Sequence, residues 1–549
     1  MDRYEIKRSK ERTGSSPFSV FTDQAGFPAG NAKRAVIPFD CEYFEITDRN
    51  GTTVFSGETG QFGFDEASGD TVCFADFGKL TKKGEYRVKA GGKFSALFKI
   101  GDNVYDGVLD SALKAFYFLR CGCGLDEKFA GAWKHGKCHT AEAVLWEDNS
   151  VRLDVSGGWH DAGDYGRYVT AGAIAAAHLL YAYRLFPEVF RDRRVNIPES
   201  GMPDILAEVK YELDWLLKMQ KPDGSVYHKL TTLLHAPFVM PEHDTETLYV
   251  FPVSSMAAAD LAAVCALASP IYRPFDPAFA EKLRTAAELS AEWLIRNPGF
   301  IDFTNPEGCN TGAYGQWDDA SNRFWAFAEM FALTGDGDYA DRALALTNKH
   351  FPLTEFGYTE TGGLGALAYL LAPHEKDDAT VGKLKGEFTR TAGYLRGLSD
   401  KCGYGAAMSV RDFWWGSNMN VLKRGMIFAL SDILCGTDNM EYAARQLHYI
   451  LGTNPLGISY ITGIGEYSAN QPHLRPAYAD GIDASIPGFV VGGPNSGLSD
   501  QFAKELIPPG TPPMKCYADA AESYSLNEIT IYWNSPAVFL LGYLCACGR

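Results

Sequence analysis

Positive charge is in short supply in this 549-residue chain: 51 Lys and Arg stand against 68 Asp and Glu, a formal net charge of −17. A polyanion would be repelled, so neither nucleic acid nor an anionic membrane is expected as a partner. No stretch reads as the ~18–20 apolar residues of a membrane span. The opening "MDRYEIKRSKERTGSSPFSVF" lacks the apolar core of a secretory signal, so a cytoplasmic protein is expected, or a secreted one if a leader was removed. The 12 cysteines are scattered, mostly in apolar segments such as "AVCALAS" and "GYLCACG", and read as reduced buried thiols rather than six disulfides. Only Cys121, Cys123 and Cys138 gather locally. No fixed repeat period is visible, which weakens a solenoid, and nothing fixes the oligomeric state. Aromatics, by contrast, are plentiful at 13 %, with 10 Trp and 28 Tyr. Such rings fill large cores or stack on flat apolar ligands.

The texture changes once along the chain. Residues 17–102 are short alternating or β-branched runs such as "YFEITD" and "GEYRVKA", broken by turns such as "DRNGT". That pattern predicts a small β-sandwich. From Tyr105 onward helix-length segments take over, among them "TAGAIAAAHLLYAYRLF", "DILAEVKYELDWLLKMQ" and "SPAVFLLGYLCA". About a dozen helices with wide apolar faces point to helix pairs packed together. Two domains are therefore expected, 1–102 and 103–549. Long loops at 223–245, 303–323, 402–418 and 459–518 are the expected carriers of function.

Three polar clusters stand out. "GGWHDAGDYGRYV" places Asp161 and Asp164 three residues apart before a helix pattern, flanked by Trp159, Tyr165 and Tyr168. One reading is a helix N-terminus, where Asp and Gly favour caps. The other is a ligand site with an aromatic rim, since two carboxylates on one face repel unless something needs them. "YADAAESYSLNEITIYWNS" carries Asp519, Tyr524, Glu528 and Asn534, and reads equally as a solvated helix face. "NQPHLRPAYAD" holds His473, Arg475 and Asp480 in a Pro-bounded loop. His-x-Arg in an extended segment puts both side chains on one side, suited to hydroxyls, although a lone histidine is more often structural.

These segments together resemble glycoside hydrolase family nine, a cellulase family with an all-helical barrel. The first is similar to that family's catalytic-base segment, the second to its acid segment, and "SYITGIGEYSANQPHLR" to its histidine segment, except for Tyr467 where Asn, Lys or Arg is usual. "WGSN" at 415–418 and "YILGTNPLGISYITG" also resemble the family, and the likeness spans roughly residues 105–545. The β-rich segment before it resembles the immunoglobulin-like module of one subgroup. The resemblance implies a multidomain chain: a small all-β immunoglobulin-like sandwich followed by an all-α, six-hairpin α/α barrel.

The same resemblance implies an inverting β-1,4-glucan hydrolase. Inversion needs an ionised carboxylate to activate water and a protonated carboxyl to assist departure, held about 6.5–9.5 Å apart. By motif position Asp164 is the base, Asp161 helps hold the water, and Glu528 is the acid. His473, Arg475, Tyr524 and, in support, Asp480 are expected to bind the sugar. No catalytic cofactor is expected. The subgroup's structural zinc site matches Cys121, Cys138, His139 and His160; spacing alone leaves them as buried thiols, with Cys123 and His135 as spare candidates. Calcium is a further ion the resemblance allows, with no acidic loop to assign it to. The expected partner is a β-1,4-linked glucose oligosaccharide. A cellodextrinase, possibly trimming chain ends, is favoured over a secreted endo-β-1,4-glucanase or an exo-β-glucosaminidase. A non-enzymatic oligosaccharide-binding protein is the rival, but it has no need for Asp164 and Glu528 together.

Overall fold

The computed structural model describes residues 16–548. The opening segment, and with it the start of the expected first domain, falls on the 15 residues before that range. The described residues form two compact units, one from 16–115 with 390–548 and the other from Phe116–Thr389.

The first unit begins with a β-sandwich. One sheet runs in the order Gly26–Pro28, Phe98–Gly101, Gly84–Ala90, Tyr43–Asp48, Thr53–Glu58, with Lys93–Phe94 also on the third strand. The other runs Arg34–Ile37, Asp70–Asp76, Gly60–Asp65. Alternation puts Phe27, Ile37, Phe44, Ile46, Val88 and Phe98 into one core. The "DRNGT" turn forms as the sequence predicts, with Asp48 accepting from the amides of Asn50 and Thr52.

The helices Ser417–Cys435, Met440–Ile450 and Ile531–Cys547 pack together in this unit. Ile531–Cys547 starts where Thr530 accepts from the Trp533 amide, an N-cap bond. The sandwich is tied to this helical part by buried polar contacts. Asp23 meets His448 at 2.7 Å, the Gly403 amide donates to Asp65 at 2.9 Å, and Lys515 pairs with Asp70 at 2.6 Å.

The second unit is a row of buried helices with partners alongside. Val169–Leu185 packs on Ser255–Tyr272, which packs on Ala320–Thr334, which packs on Gly362–Leu371. Asp204–Lys218, Pro277–Arg296 and Gly337–Leu346 flank that row. The row helices are buried nearly all round, whereas Pro277–Arg296 alternates buried and exposed positions as a surface helix must.

Two expectations need correction here. Ser255–Tyr272 is long and apolar enough, by length and composition, to cross a membrane; its alanine-rich face is instead mostly buried among its neighbours. The sequence also hid a five-stranded sheet of Ala143–Leu145, Asp148–Leu153, Arg167–Tyr168, Lys229–Thr231 and Tyr249–Val250. Strands of two to six residues are too short to show a period. That sheet carries the end of the first polar cluster.

Candidate active site and metal cluster

The loop of Asp161 and Asp164 is held from behind. The Trp159 amide donates to Glu212 at 2.6 Å and its indole N–H to Glu208 at 2.9 Å. Glu208 in turn pairs with Arg120 at 2.8 Å. Both glutamates come from one face of Asp204–Lys218, four residues apart. Gly158 has a φ of +76°, and a Cβ there would sit 2.7 Å from the Trp215 ring, so only glycine lets the loop approach that helix.

Neither aspartate caps the following helix. Val169–Leu185 has Tyr168 at its N-cap with no side-chain cap bond, and the short strand Arg167–Tyr168 separates it from the carboxylates. The capping reading therefore fails, because the chain extends before it coils. The expected aromatic rim fails too: Trp159, Tyr165 and Tyr168 are all buried. Tyr165 donates to the Val239 carbonyl at 2.5 Å and packs on His160.

Both carboxylates are themselves buried. Asp164 Oδ2 accepts from the Gly166 amide at 3.2 Å and from Tyr168 Oη at 3.4 Å, and lies 3.2 Å from His235 Nδ1. Asp161 Oδ2 accepts from Tyr314, while its Oδ1 is buried with no hydrogen-bond partner in the protein. Burial, and then the charge of Asp164, hold the Asp161 carboxyl well above the usual range against the Tyr314 hydrogen bond. Tyr314 has a φ of +51°, rare for a non-glycine residue, and its ring packs at a tilt 4.4 Å from that of Tyr168. Neither Tyr314 nor His235 was singled out by sequence. Tyr314 sits in the 303–323 loop, one of the expected carriers of function, yet nothing in local spacing links position 314 to 161.

In the first unit the acid and histidine segments run side by side. The His473 amide donates to the Asn527 carbonyl and the Gly492 amide to the Glu528 carbonyl. Asp519 joins the segments, accepting from the amides of Asn470 and Gln471 at 2.8 Å each. Asp500 accepts from Ser523 Oγ and the Ser525 amide, fixing the turn before Glu528. His473 Nδ1 lies 2.6 Å from the Ala521 carbonyl, so it must carry the proton. Tyr524 stands 6.0 Å from the His473 ring and 5.1 Å from Trp415, with both Tyr524 and Trp415 well exposed. Arg475 opens the short helix Arg475–Ala479, and Asp480 closes it, accepting from the Ile482 amide. Asn534 lies apart as a structural clamp, bonded to the Val490 amide and the Ala112 carbonyl. The unusual Tyr467 bonds Gln24 through both its backbone amide and its carbonyl, so this contact does not depend on its side chain.

The sequence profile of glycosyl hydrolase family 9 matches residues 105–541, and that of the cellulase N-terminal immunoglobulin-like domain matches 16–95. The chain belongs to glycosyl hydrolase family 9. As a family 9 member it is a glycoside hydrolase, with an immunoglobulin-like sandwich preceding the helical catalytic domain, as the resemblance implied. It is 45 % identical over 545 residues to a cellodextrinase of Butyrivibrio fibrisolvens, covering 95 % of this chain and 98 % of that one. A point mutant of a thermostable endoglucanase from Alicyclobacillus acidocaldarius matches at a TM-score of 0.91 and 35 % identity, covering 96 % and 100 %. A zinc-binding triple mutant of the family 9 endoglucanase J30 matches at 0.89 and 34 %, covering 94 % and 99 %.

The family 9 chain also assembles the four expected metal ligands. One ligand atom from each of Cys121, Cys138, His139 and His160 lies within 4.8 Å of the others, and all four residues are buried. The donor set fits a closed tetrahedral ion. Burial alone would raise the Cys121 thiol, yet the Cys138 hydrogen bond and nearby cationic groups hold it well below its ordinary value. Two thiols and two imidazoles crowded away from water are poorly satisfied by one another and well satisfied by a cation. His139 also bonds through Nε2 to Asp244 at 3.2 Å, the carboxylate–histidine support common behind metal ligands. Cys123 and His135 stand outside the cluster, the latter half-buried and bonded to the Gly136 carbonyl.

Proposed function

We propose that the chain hydrolyses cello-oligosaccharides with inversion, Asp164 acting as general base and Glu528 as general acid. The carrying observation is the asymmetry of the aspartate pair. Asp164 is oriented by Gly166, Tyr168 and His235, whereas Asp161 keeps one buried oxygen unbonded beside it. In the reaction a water molecule gives a proton to Asp164 as its oxygen attacks the anomeric carbon. Glu528 gives its proton to the departing glycosidic oxygen, so charge and protons balance over the step. Asp161, fixed by Tyr314, orients the water.

His473, Arg475, Tyr524 and Asp480 are assigned to sugar hydroxyls and ring faces. Half-exposed Trp415 beside Tyr524 supports this, since the flat faces of β-1,4-linked glucose stack on such rings. Cello-oligosaccharides are preferred over long glucan because the Butyrivibrio relative is named a cellodextrinase; the Alicyclobacillus name favours internal cutting as the second reading. A structural zinc ion is assigned to Cys121, Cys138, His139 and His160, where it would brace the loop through His160, next to Asp161. The boundary between the two sequence domains is placed at 102/103, between the strand ending at Gly101 and the helix starting at Asp106.

Product analysis on cellotriose through cellohexaose tests the substrate reading. Rates that rise with chain length up to a short oligomer, with one product released stepwise, fit a cellodextrinase. Random shortening of long soluble glucan at a higher rate overturns it in favour of an endoglucanase.

A further inference from the structure

Lys229 is fully buried, and the carboxylate whose charge acts on it, Asp164, makes no direct ion pair with it among the described residues. Its ammonium donates instead to neutral acceptors: Asn305 Oδ1 at 2.6 Å, Gly312 carbonyl at 2.8 Å and Thr311 Oγ1 at 2.9 Å, with Cys309 Sγ at 3.5 Å. The rings of Phe251, Phe303 and Tyr168 surround it at 4.7–5.8 Å. Burial pulls the ammonium down to about 8 and the more distant charge of Asp164 only partly offsets this, so its burial is costly, and a packed apolar side chain would serve stability as well. What this charge gathers is one loop. All four of those partners lie between residues 305 and 312, on the segment that ends in Tyr314.

The residue just before this strand repeats the arrangement. His228 lies 2.8 Å from the Ala313 carbonyl through Nε2, is held at Nδ1 by Ser254, and stacks on Phe303 at 4.2 Å. The consecutive residues 228 and 229 thus hold the consecutive carbonyls of Ala313 and Gly312. The next residue is Tyr314, at positive φ, with its hydroxyl on Asp161. The strand pairs Lys229 with Tyr168, which bonds Asp164. One ammonium therefore lies beside the Tyr168 ring, at 5.8 Å, and bonds the loop that leads to Tyr314.

We propose that Lys229 is a positioning residue for hydrolysis, holding the 305–312 loop so that Tyr314 fixes Asp161 for its work beside the base. The proposal rests on the base assignment of Asp164 and Asp161, and it deepens that assignment by adding the group that sets its geometry. Lys229 acts through Tyr314. The ~1 Å displacement of a positioning group can cost about a hundredfold in rate.

The test is a double-mutant cycle of Lys229→Met with Tyr314→Phe, read as kcat and KM on cellotetraose. Lys229→Met is expected to lower kcat by about tenfold to a hundredfold with KM within about twofold. In the Tyr314→Phe background the same change should cost less than about threefold, because the two act as one unit. A wild-type kcat for Lys229→Met, a loss appearing in KM alone, or losses that multiply would each overturn the proposal. If Lys229→Met does not fold, Thr311→Val removes one acceptor at constant shape and is held to the same pattern at a several-fold loss. Asp164→Asn, measured alongside, separates the failures. Full turnover in that variant overturns the base assignment, whereas an inactive Asp164→Asn with an unaffected Lys229→Met overturns the role of Lys229 alone.

Discussion

Asp161 and Asp164 are three residues apart, yet their surroundings divide them: one accepts from a backbone amide and Tyr168, the other from Tyr314 with an oxygen left over. That division makes residue-level roles separable by mutation. Asp164→Asn and Glu528→Gln should each lower kcat by about 10²–10⁴-fold in steady-state assays while circular dichroism stays unchanged, since each removes a proton-transfer group and keeps its shape. A rate near wild type in either variant contradicts its role. Tyr314→Phe removes only the hydroxyl on Asp161. Its expected loss is smaller, about tenfold to a hundredfold in kcat, with KM little changed. Loss of binding instead of turnover would place Tyr314 on the substrate.

At the scale of elements, buried carboxyls between helices set a pH dependence. Glu329, on Ala320–Thr334, accepts from Tyr181 of Val169–Leu185 and from Trp325, and burial pushes its carboxyl up from 4.5 to about 7. A raised folded value favours the protonated form, so its stabilising contribution is full below about pH 4.5 and is lost as pH rises through about 7. Thermal melts across that window should show wild type losing stability relative to Glu329→Gln, which mimics the protonated acid; parallel curves would contradict this. The Cys121–Cys138–His139–His160 cluster gives a second prediction. Chelation should reduce turnover before it reduces helix content, because His160 adjoins Asp161 while the helices have their own core. Full turnover in metal-stripped protein contradicts a brace on the base loop.

The elements also show what sequence could and could not reveal. Long helices were legible because their apolar faces repeat every 3.6 residues, and the sandwich because its strands alternate. The four metal ligands were implied by the family resemblance, and the structure brings them together; the side-by-side run of the acid and histidine segments is seen only in the structure. Short strands such as Arg167–Tyr168 were invisible, and with them the reason Asp161 and Asp164 cap nothing. Trp159, Tyr165 and Tyr168 looked like a rim because a short window cannot tell an exposed ring from one clamped by Glu208 or the Val239 carbonyl. Tyr314 reaches Asp161 across 153 residues, a contact fixed by Lys229 and His228 rather than by any local pattern.

For the whole molecule, the sandwich is joined to the helical part of its own unit at Asp23, Asp65 and Asp70, and Gln24 holds the segment that leads to His473. A family 9 chain built this way commits its catalytic groups to one stereochemical course. A direct displacement by water assisted by Asp164 and Glu528 inverts the anomeric carbon, whereas a covalent intermediate would retain it. The decisive measurement is the anomer first released from cellotetraose, followed by NMR before mutarotation. An α-configured first product is expected from inversion; a β-configured one contradicts the pairing of Asp164 as base with Glu528 as acid.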